Sequence, residues 1–142
     1  MILLDTNVLV YALGGPHALQ RPSEALLERL REGELPGGTI GAVYLEFLYV
    51  FSRRRTRDAA AAAARDYLEL LGPPLQIADD DRALAIDLYE RHARLESVDA
   101  LLAAVALRGQ VAALVTADRS FADVPGLRAL DPRSPELEAM LG

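Results

Sequence analysis

The sequence predicts an α/β fold with a mostly parallel central sheet. Short apolar segments of strand length alternate with longer segments of helix length along the chain, and this alternation is typical of successive βα units. Glycine and proline clusters separate the segments, as turns between elements require. A length of 142 residues fits one domain with a real core. We find no internal repeat or linker, so residues 1–142 are predicted to form a single domain.

The first half of the chain predicts two strands and four helices. Gly14-Gly15-Pro16, Gly33 and Gly72-Pro73-Pro74 end three of the helices. The run of six alanines at 59–64 has high helix propensity and is read as plain helix. The predicted elements are a strand at 2–4, helices at 6–13 and 23–31, a short strand at 39–41, and helices at 42–54 and 58–71.

The second half predicts three strands and two helices. Acids at the start of the helix at 80–94, and Arg91, His92 and Arg94 at its end, suit the helix dipole. Ser97 is predicted to cap the next helix, which reaches Leu107. The predicted elements are a strand at 75–78, helices at 80–94 and 97–107, and strands at 112–115 and 127–130.

Composition excludes several kinds of chemistry. The chain has no cysteine, which rules out disulfides, a cysteine nucleophile and cysteine-bound zinc. All fifteen basic residues are arginine, so mechanisms that need a lysine are also excluded. A net charge of −6 argues against binding nucleic acid by bulk electrostatics, but bound cations can invert the charge of an acidic site. With no leader and no membrane-spanning stretch in the sequence, we expect a cytoplasmic protein.

Two acidic residues follow predicted strands directly. Asp5 comes after the strand at 2–4, and Asp118 follows the strand that enters Thr116. In open α/β sheets, ligands bind at the carboxyl ends of the parallel strands. Each aspartate could equally be a helix N-cap, and a capping carboxylate can still face a metal.

Two further acids lie within apolar helices. Glu46 is the only charge between Ala42 and Phe51, in a helix that is expected to be buried all round; its alternatives are a solvent-facing edge or a salt bridge to the arginines at 53 and 54. Asp99 stands in the first turn of a helix that carries no other charge before Arg108. Its alternative is a simple partner for the helix dipole.

Four acids converging on one sheet edge predict a metal site. Carboxylates at close range repel one another, and a hard divalent cation such as Mg²⁺ or Mn²⁺ would neutralise them. The two histidines, His17 and His92, are expected to face solvent. Metal-assisted phosphodiester hydrolysis is the chemistry that fits this donor set best.

The same residues resemble the PIN-domain nucleases, and among them the VapC-type toxins of toxin–antitoxin pairs. The resemblance rests on the opening MILLDTNVLV, on Glu46 in its aromatic helix, on SVDALLAA from position 97, and on LVTADRSF from position 114 followed by VPGL. It covers essentially the whole chain and implies a three-layer α/β/α sandwich. It further implies an Mg²⁺- or Mn²⁺-dependent endoribonuclease that forms a homodimer and is inhibited by a cognate antitoxin.

Site roles follow from the resemblance residue by residue. The metal-binding and catalytic acids are matched by Asp5, Glu46, Asp99 and Asp118, and a supporting hydroxyl by Thr116. Asn7 is similar to a further polar contact. Asp123 lies close enough in sequence to replace or assist Asp118, so the fourth acid stays open between these two.

Two clusters beside Glu46 have more than one interpretation. Arg53, Arg54, Arg55 and Arg57 are candidate contacts for RNA phosphates, or a solvated helix end. The apolar residues of the preceding helix are expected to pack mainly in the core, and some could form a dimer or antitoxin surface. These are Tyr44, Phe47, Leu48, Tyr49 and Phe51.

Two competing functions are considered. Phosphate-transferring domains of the receiver or haloacid-dehalogenase type also place an aspartate after the first strand, but both rely on a lysine, and the dehalogenase pattern needs an acid where Asn7 stands. The second alternative is a non-catalytic PIN-like module that binds RNA or protein. Retention of all four acids argues against it.

Overall fold

A four-stranded parallel sheet lies at the centre of the computed structural model, which describes residues 1–142. The strands are β1 (Ile2–Leu4), β2 (Gly37–Gly38), β3 (Ala113–Val115) and β4 (Ala129–Leu130). The helices are α1 (Thr6–Leu13), α2 (Gln20–Arg31), α3 (Gly41–Arg54), α4 (Arg57–Leu71), α5 (Asp79–Arg91), α6 (Ser97–Arg108) and α7 (Pro135–Leu141), and a 3₁₀ helix spans Arg119–Asp123. None of the helices has the length and apolarity that a membrane span requires.

Strand order places β1 and β3 side by side in the middle of the sheet. The order is β2-β1-β3-β4, and every neighbouring pair is parallel. In this register Leu4 pairs with Val115, so the residues that follow the two strands emerge together. The predicted fold class is confirmed, and the carboxyl ends of β1 and β3 form the sheet edge that positions the site.

The core is built on these two strands. All three residues of β1, and Leu114 and Val115 of β3, are completely buried, as central strands covered on both faces should be. On one side α1 packs against α2 and α3, and α3 packs against α4, whereas α5 pairs with α6 and α6 contacts β3. The α6 residues Ala103 and Ala104 are fully buried; their small side chains fit the predicted close packing of this helix.

The predicted strand at 75–78 is wrong. Only Leu75 pairs, in a single bridge with Ile40, and its amide donates to the Thr39 carbonyl at 2.9 Å. The rigid prolines before it and the start of α5 after it leave no room for a longer pairing. The short strand expected at 39–41 lies earlier, at the glycines of β2. A Cβ on Gly37 would stand 2.7 Å from the end of the Leu30 side chain, so any side chain here would require Leu30 of α2 to shift.

Helix ends also differ from the prediction. Glu96 occupies the N-cap position of α6 without a side-chain capping hydrogen bond, and Ser97 is the first helical residue; α5 ends at Arg91, not Arg94. Helix α2 begins three residues before Ser23, whose side chain is fully buried. Helix α7 was not predicted, although Ser134 followed by proline is a common helix start, and the Ser134 hydroxyl accepts a hydrogen bond from the Glu136 amide.

Candidate active site

Asp5 joins the ends of the two central strands. Its carboxylate is buried and caps α1 by accepting a 2.7 Å hydrogen bond from the Thr6 amide. The other carboxylate oxygen accepts a 2.7 Å bond from the Thr116 hydroxyl and a 3.1 Å bond from the Asn7 amide. The capping alternative for Asp5 is therefore confirmed, and the same carboxylate also binds Thr116, the residue that follows β3.

Thr116 and Asn7 fix the loop after β3. The Asn7 side-chain oxygen accepts a hydrogen bond from the Ala117 amide at 3.2 Å. The Thr116 hydroxyl oxygen accepts a hydrogen bond from the Asp118 amide at 3.0 Å, and the same hydroxyl donates a hydrogen bond to Asp5. These bonds hold the backbone of Asp118 in a set position relative to Asp5.

All four predicted acids line one pocket of about 240 Å³, with Asn7 beside them. Asp5 comes from the end of β1, Glu46 from the middle of α3, Asp99 from the first turn of α6 and Asp118 from the loop after β3. Their convergence follows from the topology, because each element presents its residue at the carboxyl edge of the parallel sheet.

Glu46 is half-buried and makes no hydrogen bond or salt bridge. The alternative salt bridge to the arginines at 53 and 54 is not formed; the Arg53 guanidinium instead lies 3.7 Å above the Tyr49 ring. The expectation that α3 is buried all round is wrong, since Leu45 and Tyr49 are 70% and 60% exposed. An apolar helix can keep an exposed apolar stripe, and Glu46 lies at the border of that stripe.

Burial and mutual repulsion raise the pKa of two of the acids. The pKa of Asp5 rises to about 6, chiefly because burial disfavours its charge, although the hydrogen bonds from Thr116 and Thr6 partly oppose this. The pKa of Asp99 rises to about 7 because of burial and then the negative charges of Asp5, Asp118 and Glu46. The pocket thus holds more negative charge than its surroundings stabilise.

Known proteins identify the fold and the family. The model of the PIN domain matches residues 2–127. The chain belongs to the PIN-domain family. It is 37% identical over its whole length to Ribonuclease VapC7 of Mycobacterium tuberculosis, of which it covers 99%, and 30% identical to Ribonuclease VapC13 of that organism, over 92% of the chain and 99% of the relative.

Solved structures agree with the PIN fold. VapBC2 from Rickettsia felis, crystallised on a DNA fragment from its promoter, superposes with a TM-score of 0.72 at 21% identity, over 92% of this chain and 98% of that one. A toxin–antitoxin complex from Klebsiella pneumoniae gives a TM-score of 0.68 at 21% identity, over 93% and 98%. At this identity the likeness shows the fold.

Within this PIN domain, Asp118 rather than Asp123 faces the acid pocket. Asp118 is exposed and caps the 3₁₀ helix by accepting a 2.9 Å bond from the Ser120 amide. Asp123 does not line the pocket, and its carboxylate lies 3.5 Å from Arg94. The structure thereby favours Asp118 as the fourth acid.

The basic run and the aromatic helix divide between surface and interior. Of the four arginines, only Arg54 lines the pocket of the PIN domain; Arg55 lies 5.8 Å from the centre of the Phe51 ring, and Arg57 begins α4. Among the aromatic-helix residues, Tyr44, Phe47 and Phe51 are buried, Leu48 is half-buried and Tyr49 is exposed. Core packing is therefore confirmed for three of the five.

Five residues that line the pocket were not predicted as site residues: Thr6, Val10, Tyr11, Val50 and Glu96. Glu96 lines it beside Asp99, and Tyr11 lines it from α1 while stacking on His17 at 4.4 Å. His17 is exposed as expected, whereas His92 is half-buried at the end of α5. The acidic pair at 96 and 99, one helical turn apart, was the available signal for Glu96.

The donor set of the pocket suits a hard divalent cation. The charged oxygens that line the pocket all belong to carboxylates, and Mg²⁺ and Mn²⁺ prefer oxygen ligands. The side-chain oxygens of Asn7 and Thr116 already accept hydrogen bonds from the Ala117 and Asp118 amides. The side chains are spread around the pocket wall, and no three acidic or histidine side chains are grouped so that they could hold an ion as they stand. Coordination would require some of these side chains to move closer together.

The raised pKa values predict that the cation-free protein loses stability as pH rises. The carboxyl pKa is 3.8 in the unfolded chain but about 6 and 7 for Asp5 and Asp99 in the folded protein. Their contribution to stability is therefore present below pH 4 and lost as pH passes through 6 to 7. We expect thermal unfolding in a chelator to show a Tm about 5 °C lower at pH 8.5 than at pH 5.

Two variants test the source of that pH dependence. Asp99→Asn should reduce the loss of Tm to the part that Asp5 contributes, because the amide does not titrate, whereas Asp123→Asn should leave the profile unchanged. A wild-type Tm that is constant or rises between pH 5 and 8.5 would contradict the assignment.

Proposed function

We propose that the chain is a metal-dependent endoribonuclease that hydrolyses RNA phosphodiester bonds, and the toxin of a type II toxin–antitoxin pair. The observation that carries the proposal is the single pocket at the carboxyl edge of the sheet that Asp5, Glu46, Asp99 and Asp118 all line. Full-length similarity to relatives named as ribonucleases supports it.

The same four acids are the proposed ligands of Mg²⁺ or Mn²⁺. A bound divalent cation would lower the pKa of a water, which attacks phosphorus after losing its proton, and would supply positive charge to offset the negative charge of the transition state. The donor set fits this role, and the repulsion that raises the pKa of Asp99 is relieved when positive charge enters the pocket.

The chain's own residues prepare the pocket for that charge. Burial and mutual repulsion raise the pKa of Asp99 and of Asp5 and so favour their protonated forms, and each would release its proton on binding a cation. The Thr116 hydroxyl donates its only proton to Asp5. It therefore acts as a positioning residue that orients the Asp5 carboxylate, and it is not available as a nucleophile.

RNA cleavage by the purified protein tests the proposal. With Mn²⁺ or Mg²⁺ the wild type should cleave single-stranded or structured RNA, and excess chelator should stop it. Asp5→Asn and Asp99→Asn should each lower the rate at least about 100-fold, because each removes a charged ligand.

The matched control is Asp123→Asn, which changes an exposed carboxylate outside the pocket and should keep wild-type cleavage. Each variant is compared at equal folded fraction by circular dichroism. A wild type inert on varied RNAs with both metals would support a non-catalytic PIN-like module instead.

A cognate antitoxin and a second copy of the chain are the proposed partners, and the cytoplasm is the proposed place of action. Both solved neighbours are toxin–antitoxin complexes. On this chain Leu45 and Tyr49 form an exposed apolar stripe one helical turn apart on α3. We propose that this stripe forms the homodimer contact, with the antitoxin contact as the alternative.

Sedimentation measures these assemblies. Alone, the chain should sediment at twice its 15.4 kDa, and Leu45→Arg with Tyr49→Arg should shift it to a monomer, because two unpaired charges would be buried in the contact. Ile86→Arg, equally exposed but on α5, is the control and should stay dimeric.

Co-expression with the antitoxin should yield a larger complex without ribonuclease activity. A monomeric wild type would refute the dimer.

A further inference from the structure

A second groove meets the acid pocket at Asp118. It encloses about 400 Å³ between the loop after β3, the 3₁₀ helix and the segment after β4. Asp118 lines both the acid pocket and the groove. Thr116 lines the groove, and its hydroxyl donates a hydrogen bond to Asp5 in the pocket. A strand lying across Asp118 would therefore occupy the pocket and the groove together.

The two hollows differ in charge. Five carboxylates line the acid pocket, with Arg54 as its one cation. The groove carries two arginines, Arg119 and Arg133, and two aspartates, Asp118 and Asp131. The carboxylates of the acid pocket repel a polyanion such as RNA, whereas the balanced charges of the groove do not. Contacts to the phosphates beside the reacting bond must therefore come from the flanking arginines.

Arg119 is the arginine of the groove that is free to bind. The Arg133 guanidinium donates two hydrogen bonds to the Asp131 carboxylate, at 2.9 and 3.0 Å. These bonds hold the pKa of Asp131 below its ordinary value, and the nearby charge of Arg119 adds to the effect. Arg119 itself is exposed and takes part in no ion pair or hydrogen bond.

We propose that Arg119 binds a phosphate of the RNA strand on one side of the cleaved bond, with that part of the strand lying in the groove beyond Asp118. The inference rests on the proposed ribonuclease function and adds the path of the substrate: from Arg54, across the four acids, to Arg119. A guanidinium suits this role because it can bind two phosphate oxygens at once. Arg119 thus positions the strand and takes no part in the bond changes.

Binding of a single-stranded RNA oligonucleotide tests the contact, in the Asp99→Asn background so that the RNA stays intact. Adding Arg119→Ala should weaken binding about 3- to 10-fold and lower the slope of log affinity against log salt by about 0.7, the value for one phosphate contact on a single strand. Arg119→Lys should keep the salt slope of the protein with Arg119 but only part of its affinity, because lysine keeps the positive charge and loses the bidentate geometry of the guanidinium. The control is Arg65→Ala, an exposed, unpaired arginine on α4 that lines neither hollow.

Truncated substrates locate the contact. With an RNA whose cleavage site has been mapped, the Arg119→Ala effect on kcat/KM should vanish when nucleotides are removed from one side of the cleaved bond. It should persist when they are removed from the other side, because only one side lies in the groove.

The outcomes separate the two proposals. If wild type cleaves RNA but Arg119→Ala matches Arg65→Ala in affinity and salt slope, the contact is refuted and the ribonuclease stands. An Arg119→Ala effect that survives both truncations overturns the groove assignment. A wild type that neither binds nor cleaves RNA overturns both.

Discussion

The hydrogen bond from the Thr116 hydroxyl to the Asp5 carboxylate is the interaction on which the site depends. It is 2.7 Å long, lies in the interior and joins residues 111 positions apart. It forms because β1 and β3 are adjacent, parallel and in register at Leu4 and Val115. Asn7 repeats the connection through the Ala117 amide. Without these bonds the loop that carries both Asp118 and Arg119 would lose its fixed relation to the pocket.

The same arrangement has an energetic cost. Two carboxyl groups are buried at 2% and 8% exposure, next to two further acids, and burying charge without a partner is unfavourable. The shifted pKa values of Asp5 and Asp99 express that cost as proton uptake. A fold that concentrates uncompensated charge in this way is typical of functional sites. A divalent cation is the proposed compensation, and flanking arginines are the proposed means of holding the substrate's phosphates.

The parts of the site that depend on topology were predictable from the sequence. Asp5 and Asp118 follow strands, and parallel strands bring their carboxyl ends to one edge, so their meeting follows from the order of elements. The location of Asp99 near this edge was predictable because it lies in the first turn of its helix. Features set by surface contacts were not predictable: that Arg53 stacks on Tyr49 and leaves Glu46 unpaired, that Leu75 reaches only one bridge, and that Asp123 turns toward Arg94. Each depends on which side chains happen to lie within a few ångströms, information that a linear pattern does not contain.

Calorimetric titration with Mn²⁺ in two buffers of different ionisation enthalpy tests the central claim, that the four carboxylates together bind a cation. At pH 6.5 we expect binding with release of about one proton, because Asp99 is largely and Asp5 partly protonated there. At pH 8.5 we expect tighter binding with almost no proton release, and Asp99→Asn should weaken binding at both. Absence of binding, or binding at pH 6.5 with a heat that does not depend on the buffer, would contradict the account.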